Sequence, residues 1–217
     1  MASGLAGTGV PMGIIPAGTG NDLIKTLGLP KDPMACLQLV LSQAPRPTDI
    51  LRVNERHCLN VAGLGFDVAV LQQTPHDPRL HGLLPYLIGV LRAIRRHQPV
   101  HVRYELDGGE TEERDVLLLS AANGRYIGGG IAVCPAAVPD DGKLDVVMVR
   151  DVSRRRIPFY LPGLLLGRIL RFSITRHTLA DRLHIVSPGM ELQIDGEIFT
   201  MDEADIAVEP GGILIWR

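Results

Sequence analysis

The residues Gly13-Ile14-Ile15-Pro16-Ala17-Gly18-Thr19-Gly20-Asn21-Asp22 constrain the fold of this chain more than any other stretch. An apolar β-branched run leads into a glycine turn, and Leu23-Ile24-Lys25-Thr26-Leu27 follows with helical spacing. The pattern predicts a buried strand at Met12 to Ile15, a turn, and a helix from Asp22 to Leu27 capped by Asn21 or Asp22. Glycines at such a junction let the backbone come close to a ligand, and the first-turn amides of the helix point outward unpaired. Phosphate suits that position, although a tight connection in any α/β domain has the same appearance.

The chain has 217 residues, which suits one large domain or one and a half small ones. Its 46% hydrophobic content supplies a core, and its net charge of −2 gives no reason to expect nucleic acid. Aromatic residues, at 4%, are too few for base-stacking platforms. Cys36, Cys58 and Cys134 lack metal-ligand spacing and read as buried thiols in a reducing compartment. The seven histidines show no ligand spacing either. No secretory signal is visible. The apolar stretches Leu83 to Ile94 and Ile157 to Leu170 are too short and too interrupted to span a membrane. The cytoplasm is therefore the expected compartment.

Gly28-Leu29-Pro30 should end the first helix, and a second should run from Asp32 or Pro33 to Leu41. Pro45-Arg46-Pro47 marks a linker. Short alternating runs then follow at Asp49 to Val53, His57 to Ala62, Val100 to Leu106, Val116 to Ala121, Ile131 to Val133, Leu144 to Val149, Leu183 to Val186, Glu191 to Ile194, Asp205 to Val208 and Ile213 to Trp216. These are the strands of an antiparallel domain. Two helical patterns interrupt them: Leu83/Leu84/Leu87/Ile88/Leu91/Ile94 within Phe66 to His97, and Ser153 to Leu170, kinked by Pro158 and Pro162. The expected fold class is α+β: a short α/β part over residues 1–46, then a mostly antiparallel, sandwich-like β domain over 47–217.

Four further stretches carry polar residues in turn-like settings. Asn60-Val61-Ala62-Gly63-Leu64-Gly65-Phe66-Asp67 ends a strand with a turn and a capping aspartate. Asn123-Gly124-Arg125-Tyr126-Ile127-Gly128-Gly129-Gly130 reads as a loop whose glycines allow unusual backbone angles. Val138-Pro139-Asp140-Asp141-Gly142-Lys143-Leu144-Asp145 reads as a surface turn. Glu191-Leu192-Gln193-Ile194-Asp195-Gly196-Glu197-Ile198-Phe199 reads as a tight hairpin. Arg92, Arg95, Arg96 and His97, with Arg154, Arg155 and Arg156, form basic clusters beside apolar helical stretches. They are either solvated faces or a docking surface for anionic membrane.

In order and wording these stretches resemble the diacylglycerol-kinase/sphingosine-kinase catalytic family, and the bacterial soluble lipid kinases most. The signature Pro-x-Gly-Thr-x-Asn-Asp is matched by Pro16 to Asp22, and the likeness extends over nearly the whole chain. The resemblance implies transfer of the γ-phosphate of ATP to the hydroxyl of diacylglycerol or a related lipid alcohol, in a cleft between two domains. It implies that Gly18, Thr19, Gly20, Asn21 and Asp22 contact ATP and that Asp67 contacts the substrate. Mg²⁺ would be held by Asp141 with the Val138 and Lys143 carbonyls, and Glu197 would be the general base. Residues 1–46 would then be the end of a nucleotide-binding domain. The family's Gly-Gly-Asp-Gly-Thr phosphate loop is absent from this sequence. The expectation is therefore an N-terminally truncated kinase that lacks activity alone, or a non-catalytic lipid-binding or regulatory module derived from one. A nicotinamide-nucleotide kinase relative is a weaker fit to the signature. The implied setting is cytoplasmic and peripheral to the membrane; neither the lipid nor the oligomeric state is encoded in a motif.

Overall fold

The computed structural model describes residues 2–18, 20–75, 79 and 84–217. A one-turn helix, α1 (Ala2–Leu5), opens the chain. Helix α2 (Asp22–Leu27) ends at Gly28, whose φ of 68° suits a residue without a β-carbon. In α3 (Pro33–Ser42) the first turn holds the proline, and the Asp32 carboxylate accepts from Ala35 N at 2.9 Å. Two expectations fail in this region. Asn21 does not cap α2, because it sits in the left-handed region and its side chain donates back to Gly18 O at 2.7 Å. No strand forms over Met12 to Ile15 either. Met12 makes one isolated parallel bridge to Ile215, and Ile15 is 55% exposed. Pro11 and Pro16 flank the run and remove donors that a longer ladder would need.

The remainder is built on antiparallel pairing. In chain order come β1 (Arg46–Val53), β2 (Arg56–Cys58), β3 (Val61–Gly65), α4 (Phe66–Gln73), α5 (Leu84–Arg96), β4 (Val100–Leu106), β5 (Glu112–Ala122), β6 (Tyr126–Ile127), β7 (Ile131–Ala132) and β8 (Leu144–Arg150). After these come α6 (Ile157–Leu165), a 3₁₀ turn at Ile169–Arg171, β9 (Thr175–Ala180), β10 (Arg182–Ile194) and β11 (Glu197–Ile215). Nine strands form one sheet in the order β2-β1-β11-β10-β3-β5-β8-β9, with β4 pairing both β10 and β5; β6 and β7 form a separate pair.

Alternation along the strands divides the apolar side chains between two cores. Leu144, Val146 and Met148 of β8 join Leu64, Leu119 and Leu192 on one face. Val147 and Val149 face the other way, onto a core shared with α4, α5 and α6. A smaller cluster of Ile50, Leu59, Ile213 and Ile215 packs Met12, Ile14, Leu23 and Leu27 against the sheet. That cluster, with the Trp216 Nε1 bond to Gln43 O at 3.0 Å, joins the amino-terminal segment to the sheet.

Several elements differ from the expected ones for identifiable reasons. Leu183 to Val186 and Glu191 to Ile194 are one strand, with a register irregularity between Val186 and Met190 around Pro188. β11 likewise runs through both of its expected halves. The helix expected over Ser153 to Leu170 shortens to α6, with Pro158 in its first turn and Pro162 inside. α4 is a separate short helix, and Leu83 of the expected helical pattern lies outside the described residues. β9 lies at the sheet's end with a polar sequence, so periodicity did not mark it.

Gly65 fixes the turn from β3 into α4. Its φ is 94°, and an added Cβ would lie 2.5 Å from Leu117 O. Gly189 has a φ of 69° with nothing within 4 Å of such an atom. We expect Gly189→Ala to lose about 1–3 kcal/mol from backbone strain alone and Gly65→Ala to lose clearly more. Urea unfolding compares them, and equal losses would contradict the close approach of β3 and β5 at this turn.

Candidate active site

The hairpin between β10 and β11 turns on Asp195 and Gly196, with φ of 50° and 91°, and Ile194 faces Glu197 across it. Positive φ at both central residues is the two-residue turn that Asp-Gly favours. The Asp195 carboxylate accepts from Leu59 N at 2.8 Å and Asn60 N at 2.9 Å, and the Cys58 thiol lies 3.2 Å away. The tip is thus docked on the β2–β3 connection. Glu197 follows it, exposed.

A cavity of about 200 Å³ opens beside this tip. Its walls are apolar: Phe66 and Val70 from α4, Tyr86 and Val90 from α5, Leu118 from β5, and Leu164 from α6. Its polar lining comes from Asp22, Asn60, Asp67, Gln193 and Asp195. Asp67, in the first turn of α4, is buried, and burial raises its carboxyl from 3.8 to about 6. One oxygen receives a 3.3 Å bond from Gln193 Nε2. The other oxygen is buried without a partner, as are Asn60 Oδ1 and Ser120 Oγ. Gly63 is what allows this carboxylate to sit where it does, since a Cβ there would lie 2.2 Å from Asp67 Oδ2. A narrow apolar slot with unsatisfied acceptors is complementary to an aliphatic molecule carrying a hydroxyl donor.

The glycine-rich segments meet at the same place. Asp22 accepts from Gly129 N at 2.8 Å and from Lys25 Nζ at 3.1 Å. Thr26 Oγ1 accepts from Arg125 N at 3.0 Å. Helix α2 therefore holds the loop of Gly128, Gly129 and Gly130, all with positive φ. Gly20 also approaches Gly129, whereas Gly18 contacts only the Asn21 side chain within 4 Å of a notional Cβ. Thr19 lies outside the described residues.

The Val138 to Leu144 turn does not line the cavity. Asp141 is exposed, and one of its oxygens accepts from Lys143 N at 3.0 Å. No hydrogen bond reaches the Val138 or Lys143 carbonyl among the described residues. One carboxylate and two uncommitted carbonyls are a hard-oxygen set that fits Mg²⁺ retaining several waters. The turn is held from beneath by Asp49, a residue that sequence reasoning passed over. Its buried carboxylate accepts from Gly142 N and Gly211 N, each at 2.7 Å, and its amide donates to Pro139 O. Gln193 was likewise read only as part of a strand. The available signal was a polar side chain placed at a core-facing position in an apolar strand, as in Thr48-Asp49-Ile50 and Leu192-Gln193-Ile194.

No helix among the described residues is long and apolar enough to cross a membrane. Residues 60–217 match the family described as the YegS C-terminal NAD kinase beta sandwich-like domain, and residues 1–53 match the diacylglycerol kinase catalytic domain. A diacylglycerol kinase of Mycobacterium tuberculosis is 33% identical over 98% of this chain and 71% of its own length. A protein of Xanthomonas euvesicatoria pv. vesicatoria named "Probable lipid kinase YegS-like" is 37% identical over 65% of this chain and 47% of its own. A solved chain from Bacillus anthracis str. Sterne overlaps with a TM-score of 0.73 at 25% identity, over 95% of this chain and 68% of that one. A second structure from that organism, of a diacylglycerol kinase, gives 0.67 at 24% identity, over 93% and 64%. The sandwich, the signature at Pro16 to Asp22 and these matches agree: the chain belongs to the diacylglycerol kinase and YegS-like lipid kinase family.

Proposed function

We propose that this chain carries the lipid-binding and proton-accepting part of an ATP-dependent kinase acting on diacylglycerol or a related lipid alcohol. The observation that carries the reading is the apolar cavity, with unpartnered buried acceptors, beside the hairpin tip that bears Glu197. The acyl chain would lie among Phe66, Val70, Val90 and Leu118, with Asp67 and Asn60 accepting from head-group hydroxyls. Glu197 would accept the proton of the reacting hydroxyl as its oxygen bonds to the γ-phosphorus and the bond to the bridging oxygen of ADP breaks. Phosphoryl transfer depends mainly on positioning, so the main contribution of Glu197 would be to hold the oxygen in line.

Gly18, Thr19, Gly20, Asn21 and Asp22 would present backbone to ATP, with residues 1–46 as the nucleotide side and 47–217 as the acceptor side. Asp22 serves by fastening the Gly128–Gly130 loop, given its bonds to Gly129 and Lys25. Mg²⁺ on Asp141, Val138 and Lys143 would supply charge and rigidity to the turn. The sequence contains no Gly-Gly-Asp-Gly-Thr loop, so the 217 residues by themselves are expected to bind ATP weakly.

The setting would be cytoplasmic, with the protein peripheral to an anionic membrane. α6 supports this. Leu164 lines the cavity while Phe159, 82% exposed, and Leu166 face outward, and exposed Arg154, Arg155 and Arg156 precede the helix. Phosphate transfer from labelled ATP to diacylglycerol in vesicles tests the reading, with the chain supplied with the Gly-Gly-Asp-Gly-Thr portion of a full-length relative. Glu197→Gln should lower the rate by about 10²–10⁴-fold, and neutral vesicles or high salt should lower it in the wild type. An unchanged rate in Glu197→Gln would remove the proposed base.

Asp67 gives a second test. A carboxyl raised in the folded state binds its proton more tightly there than in the unfolded chain. Its contribution to stability is full below about pH 4 and is lost as pH rises through about 6. Relative to wild type, Asp67→Asn should therefore gain stability from pH 4 to pH 7, by up to about 3 kcal/mol, while losing lipid affinity. Parallel stability curves over that range would contradict the burial of a charged Asp67 in the cavity.

A further inference from the structure

Away from the cavity, three side chains distant in sequence converge behind the Val138 to Leu144 turn. Cys134 precedes the turn, Asp145 is the second residue of β8, and His177 stands on β9 opposite Val147. Asp145 and His177 are diagonal neighbours on one face of that strand pair. Their ligand atoms, with the Cys134 sulfur, all lie within 4.8 Å of one another. His177 Nε2 is 2.5 Å from Asp145 Oδ1, and the Cys134 sulfur stands beside both. Cys134 and Asp145 are fully buried, while the His177 side chain keeps an edge to solvent.

We propose that Cys134, Asp145 and His177 form a binding site for a borderline-soft divalent ion of the zinc type. The sulfur, nitrogen and oxygen donors suit Zn²⁺ and do not suit Mg²⁺ or Ca²⁺. Charge supports the assignment. Uptake of M²⁺ releases the thiol proton to solvent, and the ion with one thiolate, one carboxylate and a neutral imidazole sums to zero, which lowers the cost of burying Asp145. Ligand atoms around a tetrahedral zinc stand roughly 3.3 Å apart or more for bonds of about 2.0–2.3 Å. The cluster fits that span once the His177–Asp145 contact opens. The exposed edge at His177 gives an entry path and a place for water as the fourth ligand.

A nucleophilic role for this Cys-His-Asp grouping is excluded by the full burial of Cys134, which no substrate reaches. The ion would tie both ends of the segment from Cys134 to Asp145 to the edge strand β9. It would thus brace the turn that carries Asp141. The proposal rests on these three side chains and not on the kinase reading.

The test is cobalt and zinc titration of the untagged, chelator-treated protein. With Co²⁺, a thiolate-to-metal charge-transfer band should rise and saturate at one equivalent, and Zn²⁺ should abolish it while Mg²⁺ leaves it unchanged. Zn²⁺ should also raise the melting temperature. Cys134→Ser should lose both effects, while Cys36→Ser keeps them. His177→Gln, at a partly exposed position where folding is least at risk, should lose the one-equivalent saturation. Circular dichroism checks that each variant is folded. Absence of the band in the wild type, its persistence in folded Cys134→Ser, or saturation still at one equivalent in folded His177→Gln would overturn the site.

Discussion

The buried carboxylate of Asp49 is the contact on which the arrangement of the site depends. It accepts from Gly142 N in the turn before β8 and from Gly211 N in β11, while its own amide donates to Pro139. Hydrogen bonds to a charged acceptor contribute about 1.5–3 kcal/mol each, and the residue has no access to water as an alternative partner. From Asp49 the polar contacts continue inward. Asn123 Nδ2 donates to the Asp49 carbonyl at 2.8 Å and to Leu59 O at 3.1 Å. The amide of Leu59 in turn donates to Asp195. A chain of bonds thus runs from the turn bearing Asp141 to the hairpin tip beside Glu197. These two places are far apart in sequence, and apolar packing alone would leave their relative position loosely specified.

The two cores on either side of the sheet give this polar chain a rigid frame. One core lies between strands of the same nine-stranded sheet, and the other receives α4, α5 and α6. The cavity opens in the second, where helices rather than strands form the far wall. There Gly63 and Gly65 allow close contacts that a side chain would prevent, one with the Asp67 carboxylate and one with the Leu117 carbonyl. The local cost is visible in the unpartnered oxygens of Asp67, Asn60 and Ser120. Buried acceptors without partners are rare in folded proteins, and here two of the three residues line a cavity suited to a lipid chain.

Much of this was legible in the sequence because it is local. The limits of α2, the proline start of α3, the Asp195-Gly196 turn and most strands follow from spacing and turn chemistry. What was not legible depends on distant partners. Met12 to Ile15 has strand composition but a single bridge, because its prolines interrupt the ladder. β9 has polar composition but is a strand, because β8 offers it a complete edge. Asn21 looks like a cap and instead turns back to Gly18. Asp49 and Gln193 are ordinary strand positions until the fold shows that both are buried and hydrogen-bonded. Cys134, Asp145 and His177 have no motif spacing and meet only through β8–β9 pairing.

The central claim is that a lipid alcohol occupies the slot between α4, α5 and β5 with its hydroxyl toward the hairpin tip. Photocrosslinking with a diacylglycerol bearing a diazirine near the end of one acyl chain, followed by peptide mapping, tests it most directly. The account predicts adducts at Val70, Val90 or Leu118, suppressed by excess unlabelled diacylglycerol. Adducts confined to the outer face of α6, around Phe159 and Leu166, would show that the lipid is held at the surface and that the cavity is not its site.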